Sequence, residues 1–125
     1  MWYDRINESE LIGLVVSEID VDDSGDSLRI TTECGRSFMF YHDQDCCETV
    51  RIWDTKGNLK LLKGKRLESV EHATLDDIPS DVDYKPLDSW TWTEITFRVT
   101  DATVISRWIG ESNGYYSEGV SLTEL

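Results

Sequence analysis

Short stretches rich in β-branched and aromatic residues recur along the chain about every ten residues, with turn sequences between them. Within several stretches apolar and polar residues alternate, as where Leu28 and Ile30 flank Arg29. This period of two places alternate side chains on opposite faces of a strand, so that one face can be buried. The pattern predicts an all-β fold of about eight short antiparallel strands, arranged as a sandwich or a partly open barrel. The length of 125 residues predicts a single β domain, residues 1–125.

Four segments do not fit simple strands. Asn7–Gly13 and Leu59–Leu62 each predict one short helical turn. Residues 74–88 contain both prolines and five aspartates, and this composition predicts a long irregular loop. Asn113-Gly114 predicts a hairpin turn, after which Tyr115 to Leu122 would return as the closing strand.

The charge is large and unevenly distributed. The formal net charge is -13, yet residues 51–66 hold six basic side chains against Asp54 alone, a net +5 that leaves -18 for the rest. An acidic surface repels phosphate backbones, so the charge excludes nucleic acid and anionic membranes as favoured partners. The asymmetry predicts an acidic face for a basic protein, or a basic face for an anionic ligand or a second subunit. In a homodimer, the basic segment of one subunit would face the acidic loop 74–88 of the other.

The number and spacing of the three cysteines argue against the disulfide framework of a secreted protein. Their number is odd, and Cys46 and Cys47 are adjacent, which is a pairing that occurs rarely. We therefore expect free thiols, with one of the adjacent pair packed in the core as a small hydrophobe. The polar residues after Met1 do not resemble a signal peptide, and no apolar run reaches the roughly 20 residues of a membrane span. These features predict a reducing, cytoplasmic location.

Residues 42–48, HDQDCCE, combine an imidazole, two thiols and three carboxylates and are called the first motif here. Zinc binding by His42, Cys46 and Cys47 is one reading, although a structural zinc site usually has four ligands arranged in Cys pairs. A cysteine nucleophile is another, although three nearby carboxylates disfavour the thiolate. The third is a structural loop in which His42 forms capping hydrogen bonds. We favour the third and predict no metal, no cofactor and no catalytic residue.

Aromatic residues supply further candidates for binding. Trp90 and Trp92 should share one face of a strand, and such rings form protein cores or interfaces. Arg107 and Arg51, each near a tryptophan, could hold a small anionic ligand by charge-assisted hydrogen bonds.

The first motif, SWTW at residues 89–92 and RWIGESNGYYSE at residues 107–118 together resemble an uncharacterised family of small proteins from bacteriophages and prophages. The resemblance covers roughly residues 11–122. It implies a phage or prophage origin and brings no activity with it. We refer to residues 110–118 as the second motif, and we expect the two motifs to lie close together.

These observations predict a non-catalytic, phage-encoded interaction protein of the host cytoplasm that inhibits a host protein, such as a defence protein. Two alternatives remain: a pocket protein that sequesters a small anionic metabolite or signalling nucleotide, and a metal-dependent enzyme that uses His42, Cys46 and Cys47. The predicted ligand- or partner-binding residues are His42, Asp45, Glu48, Trp90, Trp92, Arg107, Trp108, Glu111, Asn113, Tyr115 and Tyr116.

Overall fold

The computed structural model describes residues 4–86 and 88–125, and in them the chain forms two four-stranded antiparallel sheets. Residues 1–3 of the predicted domain and Leu87 of the predicted loop lie outside the described residues. The strands are β1 (Val16–Val21), β2 (Ser27–Thr32), β3 (Ser37–Tyr41), β4 (Thr49–Lys56), β5 (Ser69–Leu75), β6 (Ser89–Val99), β7 (Ala102–Ser112) and β8 (Ser121–Glu124). The first sheet has the order β1-β2-β3-β8 and the second β4-β7-β6-β5, so the prediction of an all-β sandwich is confirmed.

The period-two pattern determines which side chains form the core between the sheets. In β2 the alternation buries Leu28 and Ile30 and leaves Arg29 exposed. Phe40 of the first sheet meets Phe97 of the second edge to face, with ring centroids 5.7 Å apart. Burial of such rings is the main favourable term that holds the two sheets together.

Both predicted helical turns are present as 3-10 turns, Glu8–Leu11 and Leu59–Leu62. An asparagine precedes each turn, and its side-chain oxygen accepts a hydrogen bond from the backbone N–H two residues later. This satisfies a donor that the short turn leaves free. Among the described residues, no helix has the length and apolar character needed to cross a bilayer.

The prediction of a C-terminal hairpin is wrong. The final strand, β8, is shorter than expected and pairs with β3 in the first sheet, rather than with β7. The side chains of Ser112 and Asn113 accept hydrogen bonds from the backbone N–H groups of Gly114 and Tyr115. Because these local bonds use donors that a hairpin ladder would need, the chain leaves the second sheet here and crosses to the first.

The outer face of the second sheet is covered by the irregular segment between β5 and β6. Val82 from this segment is buried with Trp92 and Ile109, and Ile78 and Tyr84 pack around them. The molecule therefore has a small second apolar cluster outside the central core.

Candidate functional site

The two sequence motifs meet at one end of the sandwich, which confirms the predicted proximity. The first motif begins where β3 ends and leads directly into β4, which pairs with β7 so that Thr49 lies opposite Glu111. The Nδ1 atom of His42 lies 2.7 Å from the carbonyl oxygen of Gly119, just beyond the second motif. Strand pairing and this hydrogen bond together hold the two segments in contact.

The first motif folds around the buried side chain of Glu48, which has no exposed surface. The backbone N–H groups of Asp45 and Cys46 donate to its carboxylate at 3.0 and 2.8 Å, and Gln44 Nε2 donates at 3.2 Å. His42 Nε2 lies 2.9 Å from Oε2. Burial raises the pKa of Glu48, but the hydrogen bonds from His42 and the two backbone N–H groups outweigh it and lower the pKa to about 2.

Both ring nitrogens of His42 contact other groups of this loop region. Each nitrogen faces an oxygen acceptor, the Gly119 carbonyl on one side and the Glu48 carboxylate on the other. Both ring nitrogens thus contact an oxygen within hydrogen-bonding distance. The two contacts cross-link the first motif to the segment that follows the second.

The cysteines of the first motif differ from expectation in two ways. Both are exposed, so the prediction that one of them packs in the core is wrong; the carboxylate of Glu48 takes the interior position instead. Their sulfurs are bonded to each other in a vicinal disulfide, and Cys34 is an exposed free thiol. The set His42, Cys46 and Cys47 therefore does not converge on one point, and the described part of the chain holds no group of three His, Cys, Asp or Glu side chains arranged as metal ligands.

The second motif is organised by Glu118, a second buried carboxylate. Its Oε1 accepts a 2.9 Å hydrogen bond from Thr91 Oγ1, and its Oε2 accepts one from Ser112 Oγ. The Glu118 backbone lies directly on Gly110 of β7, where any Cβ atom would be inside van der Waals distance of the Glu118 carbonyl oxygen. Gly110 is thus required for close backbone approach.

A cleft of about 390 Å³ opens where the motifs meet and is called the acidic cleft here. Ten residues line it, among them Glu48, Tyr84, Asp88, Glu111, Asn113 and Tyr116. The Glu48 side chain is fully buried, so the accessible carboxylates of the lining are those of Asp88 and Glu111, and none of these ten residues is basic. Asp88 is exposed, whereas Glu111 accepts a 2.7 Å hydrogen bond from the hydroxyl of Tyr84, which raises the pKa of that tyrosine.

A second depression, here the apolar groove, adjoins the acidic cleft through Tyr84, which lines both. It measures about 370 Å³ and is lined mainly by apolar groups from the loop between β5 and β6. Its lining includes Ile78, Pro79, Val82, Tyr84, Pro86 and Trp90. Lys85 and Ser80 also line it. The Tyr84 ring is fixed against Trp53, with centroids 5.3 Å apart.

The predicted aromatic candidates separate into buried and exposed sets. Trp108 is buried in the central core, where its Nε1 donates to Ser106 Oγ, and Trp92 is buried under the loop on the opposite face of the sheet. Trp90 is 37% exposed and Tyr116 36%. Tyr115 is the most exposed of the large side chains described, at 88%. Only the exposed set can contact a partner without unfolding the sandwich.

Arg107 binds neighbours within the chain instead of facing solvent. Only 4% of its side chain is exposed; its Nε and Nη2 atoms each lie 2.6 Å from an oxygen of Asp54, and Nη1 lies 3.0 Å from Asp81. Its guanidinium also lies over the Trp92 ring. The hydrogen bonds from Arg107 and Lys56 lower the pKa of Asp81 to about 2. Since the guanidinium is occupied, Arg107 fastens the loop to the sheet.

The other predicted residues lie around the acidic cleft. His42 and Asp45 belong to the loop around Glu48, and Glu111 and Asn113 line the cleft itself. Sequence reasoning missed Tyr84 and Asp88 because they lie in an irregular loop whose path has no periodic signal. Their one sequence cue was position: Tyr84 lies between the two prolines, and Asp88 lies between the second proline and the aromatic strand Ser89–Val99.

No curated protein and no solved structure matches the chain. A family model described as a domain of unknown function (DUF7448) matches residues 9–122, nearly the whole length of the sandwich. This range contains both motifs and every residue that lines the acidic cleft. The chain therefore belongs to the DUF7448 family, a family of domains of unknown function.

Proposed function

We propose that this chain is a non-catalytic interaction protein, encoded by a phage or prophage, that binds and inhibits a basic host protein in the host cytoplasm. The observation that carries the proposal is the acidic cleft, where the accessible carboxylates of Asp88 and Glu111 and no basic side chain line a surface beside exposed aromatic residues. Protein interfaces combine such exposed aromatic anchors with complementary charge.

The state of the most reactive residues supports a binding role over a catalytic one. His42 and Glu48 are held by hydrogen bonds within the first motif, and Glu118 is held within the second. A general acid or base must instead reach the proton that it transfers in a bound substrate. These groups stabilise the loops that shape the cleft.

The overall charge supports a basic partner. With a net charge of -13, the chain attracts positively charged proteins and accelerates their association at low salt. An anionic metabolite would meet carboxylates in the acidic cleft, and the guanidinium of Arg107 is already paired with Asp54 and Asp81.

Affinity capture from bacterial lysate tests the proposed function. The bait is the intact chain, and the control bait is an unrelated protein of similar size and net charge. We expect one host protein to be retained in stoichiometric amount by the chain alone and to be released by salt. The captured protein is then purified, and its activity is measured with and without the chain.

Identical sets of proteins on both baits would contradict the proposal, because retention would then reflect charge alone. A captured protein that binds the chain without losing activity would remove the inhibitory part.

A further inference from the structure

The apolar groove and the acidic cleft adjoin at Tyr84, which lines both, and together they make up one candidate docking surface. We propose that this surface docks an extended segment of the partner protein in which an apolar or aromatic side chain is followed by a lysine or arginine. The apolar side chain occupies the groove and the basic one enters the cleft. This inference rests on the proposed function and specifies where and through which chemistry the partner is recognised.

The groove supplies the apolar half of the recognition. Pro79, Pro86 and Trp90 present rigid side chains, and Trp90 is partly exposed although it neighbours the buried Trp92 cluster. Rigid aromatic and proline surfaces lose little conformational entropy on binding, so they are efficient anchors for an apolar side chain.

Charge determines which of the two side chains occupies the groove and which enters the cleft. Lys85 lines the groove and repels a second cation there, whereas Glu111 and Asp88 line the cleft and attract it. The hydroxyl of Tyr84 fixes the Glu111 carboxylate by a 2.7 Å hydrogen bond, so one acceptor is held in place before the partner arrives. A basic side chain is therefore favoured in the cleft and disfavoured in the groove.

Nuclear magnetic resonance titration of the intact chain with blocked dipeptides tests this surface. The probe is acetyl-Phe-Arg-amide, compared with acetyl-Phe-citrulline-amide, which keeps the shape and loses the charge, and with acetyl-Ala-Arg-amide, which loses the ring. We expect saturable shifts at residues of the groove and cleft with the first peptide. Binding should be about fivefold weaker without the charge and about tenfold weaker without the ring.

Two substitutions with matched controls locate the site. Glu111→Gln retains an acceptor for Tyr84 and should weaken the arginine peptide about fivefold, while Glu33→Gln, at the turn between β2 and β3 at the other end of the first sheet, should leave it unchanged. Trp90→Ala should weaken binding about tenfold, whereas Leu61→Ala removes an apolar side chain that is more exposed, at 50% against 37%, and should not weaken it. If a variant does not fold, the comparison of the three peptides on the unchanged chain decides.

Equal binding of the arginine and citrulline peptides, shifts that map elsewhere, or no saturable shift at millimolar peptide would overturn the inference. Shifts at the same residues on concentrating the chain alone would also overturn it, because the occupant would be a second copy. If the peptides do not bind but lysate capture retains a host protein, the proposed function is retained and the proposed docking surface is rejected. If capture fails, peptide binding alone does not restore the function.

Discussion

Glu48 illustrates how one residue can organise a loop of seven. A buried carboxylate is costly unless hydrogen bonds compensate it, and here two backbone N–H groups and the ring of His42 lie within hydrogen-bonding distance of it. The sequence places all the required groups within the first motif, so the loop can close around its own carboxylate. The apparent density of reactive groups is therefore explained by structure.

Because the pKa of Glu48 is lowered, the free energy of unfolding depends on pH in the acidic range. The unfolded chain binds a proton near pH 4.5 and the folded chain only near pH 2, so the carboxylate stabilises the fold above the first value and the effect is lost as pH falls towards the second. We expect the free energy of unfolding to decrease between these two values. Glu48→Gln should flatten this part of the profile in denaturant titrations, and an unchanged profile would show that Glu48 is not the responsible group.

Removal of either of two buried hydroxyls, those of Thr93 and Ser106, should change the free energy of unfolding in opposite directions. Thr93 Oγ1 is buried, and within residues 4–86 and 88–125 it has no hydrogen-bond partner, whereas Ser106 Oγ accepts a bond from Trp108 Nε1. Thr93→Val replaces the unsatisfied hydroxyl by a methyl group of nearly equal volume and should raise the free energy of unfolding by about 1 kcal/mol. Ser106→Ala leaves the indole N–H without its acceptor and should lower it by about 1–2 kcal/mol. Chemical denaturation measures both, and a loss of stability in Thr93→Val would show that the hydroxyl is in fact satisfied.

At the scale of secondary-structure elements, the close packing of Glu118 on β7 depends on the absence of a side chain at Gly110. Gly110→Ala would place a Cβ atom against the backbone of Glu118 and force the two segments apart. We expect a loss of about 1–3 kcal/mol in thermal or chemical unfolding, as for other overpacked sites. Gly119→Ala is the matched control, because its Cβ would meet only Ser117 Oγ at 3.8 Å. Similar losses in both variants would refute the close-approach explanation.

Arg107 is one of the side chains that hold the loop between β5 and β6 on the sheet, through its ion pair with Asp81. Arg107→Ala leaves Asp54 and Asp81 without their shared cation and should cost about 2–3 kcal/mol. Hydrogen exchange should accelerate in this loop, most clearly at the Val82 N–H, which donates to the Pro79 carbonyl. Lys56→Ala removes only the half-exposed partner of Asp81 and should have a small effect. Equal acceleration in the two variants would contradict the assigned role of Arg107.

Elements with a periodic signal were predictable from the sequence, and elements fixed by single hydrogen bonds were not. The strand β2 was predicted correctly from its alternation, and the two helical turns from the segments Asn7–Gly13 and Leu59–Leu62. The C-terminal hairpin failed because Asn113 and Ser112 bind the local backbone instead of continuing a ladder. The proximity of the motifs was predictable from topology. The cleft and groove were not, since Tyr84 and Asp88 reach them along a loop without periodicity.

For the whole molecule, the structure changes the argument for self-association. Three of the six basic side chains of residues 51–66 form ion pairs within the chain: Lys56 pairs with Asp81, Lys63 with Glu18 and Lys65 with Asp101. One of these pairs, Lys56–Asp81, joins the basic segment to the acidic loop inside one subunit, whereas the sequence predicted such contacts between subunits. Fewer free cations remain to attract a second copy.

The homodimer stays a prediction, and light scattering tests it. A dimer held by these charges requires twice the chain mass at low salt and a single chain mass near 1 M salt, where the Debye length is about 3 Å. A single chain mass at low salt and high protein concentration would end the prediction. That result would leave the acidic cleft and apolar groove available for a different protein.

Selection from a library of random peptides displayed on a surface is the most direct test of the claim that this molecule recognises a basic protein segment. The intact chain is immobilised, and the bound peptides are sequenced against the input library. We predict enrichment of peptides in which lysine or arginine follows an aromatic or aliphatic residue, with loss of that enrichment in Glu111→Gln and retention in Glu33→Gln. Enrichment of acidic or uncharged peptides, or a bound pool with the composition of the input, would contradict the claim.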